Sequence, residues 1–195
     1  MPAKKQVIGV KWVYKAKCND EGKIDRHKAT LVVKGCKQKY GRDYDETYAL
    51  VVRMETVHAI IAIVAQHKWK VFQMDVKSTF LNGVLKEEVY VEQPPSYEVA
   101  SKEHKVYRLK RALYGLKQAP RAWYSRIDSY LMSNGFSKSN GEPTLYIKAA
   151  NGNVLIVVLY VDDLIFTGND KALIGEFKEA MKNEFEMIDL GLLKY

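Results

Sequence analysis

Residues 153–168 constrain the chain most. Val154-Leu155-Ile156-Val157-Val158-Leu159 and Leu164-Ile165-Phe166 are apolar throughout, and Tyr160-Val161-Asp162-Asp163 stands between them. A strand that is apolar on both faces belongs inside a sheet covered on two sides. Two such strands, separated so briefly, predict a buried hairpin whose turn carries two carboxylates. Aspartate is common in turns, so this pair alone says little. Asp75 adds weight, because it ends another short apolar run, from Val71 to Met74. Sheet pairing can bring it beside the turn. Three carboxylates that close repel one another, and their pKa values rise unless a cation neutralises them. An oxygen-only donor set favours Mg2+ or Mn2+ over zinc. Two such ions suit phosphoryl transfer. Polymerases and nucleases both use that chemistry, and the carboxylates alone do not choose.

The rest of the chain supplies a scaffold. β-Branched and aromatic residues interleave with lysines over 7–18 and 24–33, about the turn Asn19-Asp20-Glu21-Gly22, which predicts a lysine-rich hairpin. Met54, Val57, Ile61 and Val64 recur at helical spacing within 53–68. Short strands are expected at 89–91 and 105–109, separated by a loop at Pro94-Pro95. A helix is expected from Pro120, with Trp123, Ile127, Tyr130 and Leu131 on one face and Gly135 as its stop. Strands at 144–148 and 153–160 flank Asn151-Gly152, a strong hairpin signal. Residues 171–185 form a last amphipathic helix, with Leu173, Ile174, Phe177 and Met181 inward. This order fits an α+β fold with an antiparallel sheet, in one domain or two tightly joined subdomains.

The distribution of charge matters more than its total of +8. Residues 1–42 hold 12 Lys and Arg against 3 Asp and Glu, residues 102–126 hold 8 against 1, and the remainder carries −8. Two basic blocks beside an acidic remainder suggest a polyanion track next to a carboxylate cluster. Trp12, Tyr14, Tyr107, Tyr114, Trp123 and Tyr124 lie within the basic blocks. They are either platforms for nucleic acid or core anchors, and the sequence leaves both open. No apolar run is long enough to span a membrane, and Met1-Pro2-Ala3-Lys4-Lys5 lacks the core of a signal peptide. Cys18 and Cys36 are too few for a disulfide framework, and His27, His58, His67 and His104 form no zinc pattern. The expected setting is intracellular.

Phe80, five residues beyond Asp75, favours polymerisation. A ring there can lie under the sugar of an incoming nucleotide and exclude a 2′-hydroxyl. At this point the resemblance is specific. Residues from Gln73 through Asp75 and Phe80 to Gly83 resemble polymerase motif A of copia-type retrotransposon reverse transcriptases. Leu113-Tyr114-Gly115-Leu116-Lys117-Gln118-Ala119-Pro120-Arg121-Ala122-Trp123 resembles motif B, and Leu159-Tyr160-Val161-Asp162-Asp163-Leu164 resembles motif C. Lys11-Trp12-Val13-Tyr14-Lys15 and Asp43-Tyr44-Asp45-Glu46-Thr47 resemble the fingers signatures of the same family. Phe185-Glu186-Met187 with Leu190-Gly191 resembles the approach to its primer grip.

The resemblance implies a right-hand polymerase, with fingers at about 1–68 and 84–112 and an antiparallel palm at about 69–83 and 113–195. It implies two-metal nucleotidyl transfer to a primer 3′-OH, using Mg2+ or Mn2+. Asp75 and Asp162 would ligate the ions with help from the Val76 carbonyl, and Asp163 would complete the cluster. Phe80, Tyr114, Gly115, Lys28 and Lys34 would meet the nucleotide; Lys117, Gln118, Arg121 and Tyr160 would meet nucleic acid. The implied partners are an RNA or DNA template with primer, deoxynucleoside triphosphates and the rest of a Pol polyprotein. The implied location is a cytoplasmic particle or the nucleus.

Three positions depart from the family pattern: Thr30 replaces an arginine, Thr79 an alanine and Leu50 a proline. The sequence ends at Tyr195, ahead of the Phe-Leu-Gly strand of a primer grip, so thumb and RNase H are expected to be missing. These features support a second expectation, a truncated and inactive remnant that still binds nucleic acid. A two-metal nuclease leaves motif B and Phe80 unexplained.

Overall fold

The computed structural model describes residues 6–19, 21–48 and 51–193. Features expected at residues 1–5, Asp20, Leu50 and Tyr195 lie outside these. The mixed α/β architecture is built around a six-stranded antiparallel sheet, ordered β11-β4-β10-β9-β8-β7. Its strands are β4 (Val71–Val76), β7 (Ser137–Lys138), β8 (Leu145–Ala150), β9 (Asn153–Tyr160), β10 (Asp163–Gly168) and β11 (Met187–Leu192).

The doubly apolar β9 is central, between β8 and β10. Alternation sends Leu155, Val157 and Leu159 to one face and Ile156 and Val158 to the other. The first face packs on α2 (Ala119–Ser133) and α3 (Lys171–Glu184), which contribute Trp123, Ile127, Leu131, Phe177 and Met181. The second packs on α1 (Met54–His67) through Ile60 and Val64. Asp75 and Asp163 point to this second face, opposite the helix-covered Met74, Val76 and Leu164.

A smaller sheet, ordered β1-β5-β6, joins β1 (Val7–Ile8), β5 (Val84–Val91) and β6 (Tyr107–Arg111). The lysine-rich hairpin consists of β2 (Val10–Cys18) and β3 (Ile24–Val33). Residues 7–18 therefore do not form one strand. The chain breaks at Gly9, so that β1 runs parallel to β5 while β2 pairs with β3. The Gly9 carbonyl accepts the Lys34 N–H at 2.8 Å, which closes the base of the hairpin. β11 is a strand that the sequence pattern hides, because its register slips at a bulge between Asp189 and Gly191.

Close packing joins the hairpin to the main body. A Cβ on Gly35 would strike the Gly115 carbonyl, and one on Gly115 (φ +91) would strike the Val33 carbonyl. The Val33 N–H donates to the Tyr114 carbonyl at 2.7 Å. Gln118, at 0% exposure, donates to the Asp43 carbonyl (3.1 Å) and accepts from Gln38 (3.0 Å). Both ends of its amide are thus spent within the protein. This corrects the expectation that Gln118 meets nucleic acid.

α1 is capped from a distance. Arg53 stands at its N-cap with no side-chain cap of its own. Buried Glu142 instead accepts the Arg53 N–H at 3.0 Å, and also the Thr144 hydroxyl at 2.7 Å. Burial opposes ionisation of Glu142, but the hydrogen bonds from Arg53, Thr144 and Thr56 outweigh it and hold the pKa below the ordinary 4.5. A depressed folded-state pKa stabilises the fold above the unfolded value, and that contribution vanishes as pH falls through the folded value. Glu142→Gln should lower the urea midpoint at pH 7. The gap between variant and wild type should stay constant down to about pH 5 and then close in more acid solution. A gap that persists unchanged at pH 3 would contradict this account of the carboxylate.

Candidate active site

The turn between β9 and β10 is as short as a hairpin allows. Tyr160 pairs with Asp163, leaving Val161 and Asp162 as the loop. Val161 has φ +57, a strained conformation for a β-branched residue. Two hydrogen bonds hold it there. The Trp123 indole N–H donates to the Val161 carbonyl at 2.7 Å, and the Val76 N–H donates to the Asp162 carbonyl at 2.9 Å. Trp123 is 2% exposed and packs edge-on against Phe185. Of the rings in the basic blocks, Trp123 and Tyr124 are thus core anchors, while Tyr14 and Tyr107 are exposed.

Register sets Asp75 directly opposite Asp163 on neighbouring strands. Asp75 and Asp162 line a cleft of about 460 Å3, together with Val76, Lys77, Ser78, Tyr114 and Ile188. Its other wall is the β2–β3 hairpin, which contributes Lys17, Arg26, His27 and Lys28. Asp163 is adjacent, but one of its carboxylate oxygens accepts the Gln73 amide at 3.0 Å. Among the described residues, no three His, Cys, Asp or Glu side chains form a metal-holding group. The three-carboxylate cluster expected from sequence is therefore a pair facing the cleft and a third member held at its side.

The electrostatics fit a cation at this place. Burial, then the charges of Asp162 and Asp163, push the Asp75 carboxyl above its ordinary value, against the pull of Lys17 and Lys28. Burial, then Asp162 and Asp75, likewise raise the Tyr114 phenol. Two carboxylates lining one cleft are hard oxygen donors. Mg2+ is typically held by one or two such carboxylates, with water and substrate phosphates filling the remaining positions.

The other expected site residues divide. Lys28 and Tyr114 line the cleft. Phe80 packs edge-to-face on Tyr114, with ring centroids 5.0 Å apart, and bridges two cores. Gly115 serves the hairpin joint described above. The Lys34 side chain lies against Gly9, outside the cleft lining. Arg121 is mostly buried in an ion pair with Glu87, a structural role. Lys117 is exposed, and Tyr160 is 47% exposed at the end of β9. The sequence reading overlooked Lys17, Arg26 and His27. All three lie in the lysine-rich hairpin expected from sequence, but only its register, Lys17 with Arg26 and Ala16 with His27, brings them together near the tip.

The cleft sets two carboxylates against a basic hairpin, and comparison with known proteins supplies the family. The family described as "Reverse transcriptase (RNA-dependent DNA polymerase)" matches residues 1–195, and the chain belongs to that family. It is 44% identical over 192 residues to the retrovirus-related Pol polyprotein from transposon TNT 1-94 of Nicotiana tabacum, covering 98% of this chain and 14% of that protein. It is 36% identical to the corresponding polyprotein from transposon RE2 of Arabidopsis thaliana, covering 100% of this chain and 13% of that one. Against the transposon Ty1-GR3 Gag-Pol polyprotein of Saccharomyces cerevisiae the identity is 30%, over 85% of this chain and 9% of the relative. The chain therefore spans about one seventh of the length of its plant relatives. No helix among the described residues is long and apolar enough to cross a membrane.

Trp123→Phe would keep a ring in the core but remove the N–H from the Val161 carbonyl. Leaving that carbonyl without its partner should cost about 1–3 kcal/mol, read as a lower urea midpoint. A midpoint equal to wild type would show that the turn holds its strained conformation without Trp123.

Proposed function

We propose that this chain is the active-site portion of an RNA-directed DNA polymerase, which adds deoxynucleotides to a primer 3′-OH. One observation carries the reading: Asp75 and Asp162 face Lys17, Arg26 and Lys28 across a single cleft. A polymerase needs this polarity. Carboxylates gather cations on one wall, and basic side chains on the other neutralise a triphosphate. Family membership sets the reaction class. Motif and sheet together support an assignment of the six-stranded sheet to a palm and of the β2–β3 hairpin to fingers. α1, placed in the fingers from sequence, belongs with the palm on this reading, because it packs on β9.

Two Mg2+ or Mn2+ ions held by Asp75, Asp162 and the Val76 carbonyl would supply Lewis acidity for the attacking and leaving oxygens. The chain's own groups do the rest. Asp163, bound to Gln73, contributes negative charge at the side of the cleft and keeps the cations' positions electrostatically deep. Lys17, Arg26 and Lys28 orient the phosphates. Phe80 lies behind Tyr114 of the cleft lining, and through that contact would limit the space for a ribose 2′-hydroxyl. Lys117 and Tyr160 are available to template or primer. Arg121 stays with Glu87. Template, primer, deoxynucleoside triphosphates and the remaining parts of a Pol polyprotein are the proposed partners.

Primer extension on an RNA template with Mg2+ tests the reading. Asp162→Asn should lower incorporation at least about 100-fold, as expected when a charge-stabilising group is lost. Phe80→Ala should raise ribonucleotide use relative to deoxyribonucleotide. Extension that survives Asp162→Asn would remove the carboxylates from the chemistry. A wild-type chain that shifts primer–template in a gel but extends nothing would favour the nucleic-acid-binding remnant.

A further inference from the structure

Thr79 is 2% exposed, and its hydroxyl donates to the Val76 carbonyl at 2.7 Å. A hydroxyl has one proton to give, and here it goes to the carbonyl that follows Asp75 in the chain. The Val76 N–H is already committed to the Asp162 carbonyl at 2.9 Å. Val76, which follows Asp75 in the chain and lines the same cleft, is therefore held on both sides. The turn of the β9–β10 hairpin holds one side, and a side chain three residues downstream holds the other.

The intervening chain gives this hydroxyl a reason to be there. Lys77 and Ser78 are exposed, and Ser78 adopts φ +51. Thr79 then opens the short helical turn Thr79–Asn82, which carries Phe80. A threonine at this place reaches back to the carbonyl through its hydroxyl. Alanine has no hydroxyl to do so.

We propose that Thr79 is a positioning residue that restrains the Val76 carbonyl and weakens it as a ligand for a divalent cation between Asp75 and Asp162. This inference rests on the cation site assigned above. A carbonyl oxygen has two lone pairs. The Thr79 hydroxyl takes one and draws electron density from the other. Without the hydroxyl, the buried carbonyl lacks a partner in the metal-free chain and gains more when a cation arrives. Two effects are thereby linked: the free chain loses stability, and cation binding restores more of it.

The test uses the full chain as wild type, Thr79→Val (similar shape, no hydroxyl), Thr79→Ser (hydroxyl retained) and Asp162→Asn. Free Mn2+ is measured by electron paramagnetic resonance during titration, and thermal midpoints are recorded with and without Mn2+. Thr79→Val should bind Mn2+ about tenfold more tightly, the worth of one such hydrogen bond. Its midpoint should be lower without Mn2+ and rise further when Mn2+ is added. Thr79→Ser should match wild type, and Asp162→Asn should lose the binding. Should Thr79→Val fail to fold, Thr79→Ala gives the same readout. Equal Mn2+ affinity in wild type and the hydroxyl-free variant, with both dependent on Asp162, would overturn the role of Thr79 and leave the cation site standing. Binding that ignores Asp162→Asn would overturn the site, and this inference with it.

Discussion

The hydrogen bond from the Val76 N–H to the Asp162 carbonyl governs the geometry of the cleft. It ties the last residue of β4 to the turn of a hairpin formed more than seventy positions later in the chain. The two carboxylates attached to this clamp, Asp75 and Asp162, cannot separate without breaking it. The clamp itself needs the turn to keep an unfavourable shape, with φ +57 at Val161. Trp123 secures that shape from the helix side. Backbone strain at the turn is thus balanced by burial of an indole, which connects the packing of the core to the placement of charge.

The sheet distributes its two faces accordingly. α2 and α3 cover one face, which takes Met74 and Val76 of β4, Leu155, Val157 and Leu159 of β9, and Leu164 and Phe166 of β10. α1 covers part of the other, around Ile156 and Val158. The end carrying Asp75 and Asp162 faces the hairpin across the cleft, with Asp163 and Gln73 at its side. The hairpin reaches it because Gly35 and Gly115 permit backbone contact at its base, and Gln118 locks the 38–43 loop against α2. Negative charge in the sheet and positive charge on the hairpin then confront each other across the cleft.

Much of this was legible in the sequence, for identifiable reasons. β9 and β10 announced themselves because strands buried on both faces leave no polar positions. Asp75, Asp162 and Asp163 stood out because each interrupts an apolar run. The contacts that place them did not stand out. Trp123 reads equally as a nucleic-acid platform, and only the fold shows its N–H meeting Val161. Gln118 sits in a basic block and looks exposed, yet it is a buried connector. The side position of Asp163 depends on Gln73, two residues before Asp75 on the same face, a relation that appears only once the register is known. β11 was hidden by the bulge at Asp189 and Gly191. Periodicity reveals what is buried, whereas long-range hydrogen bonds between unlike elements leave no local trace.

The central claim is that Asp75 and Asp162, clamped through Val76, form the cation-binding side of the cleft while Asp163 stays with Gln73. Anomalous diffraction from crystals of the chain soaked in Mn2+, with primer–template and a non-hydrolysable deoxynucleotide, tests it most directly. The account predicts a manganese peak contacted by both Asp75 and Asp162, with the Gln73–Asp163 hydrogen bond intact. A peak elsewhere in the molecule, or one ligated by Asp163 without Asp75, would contradict it.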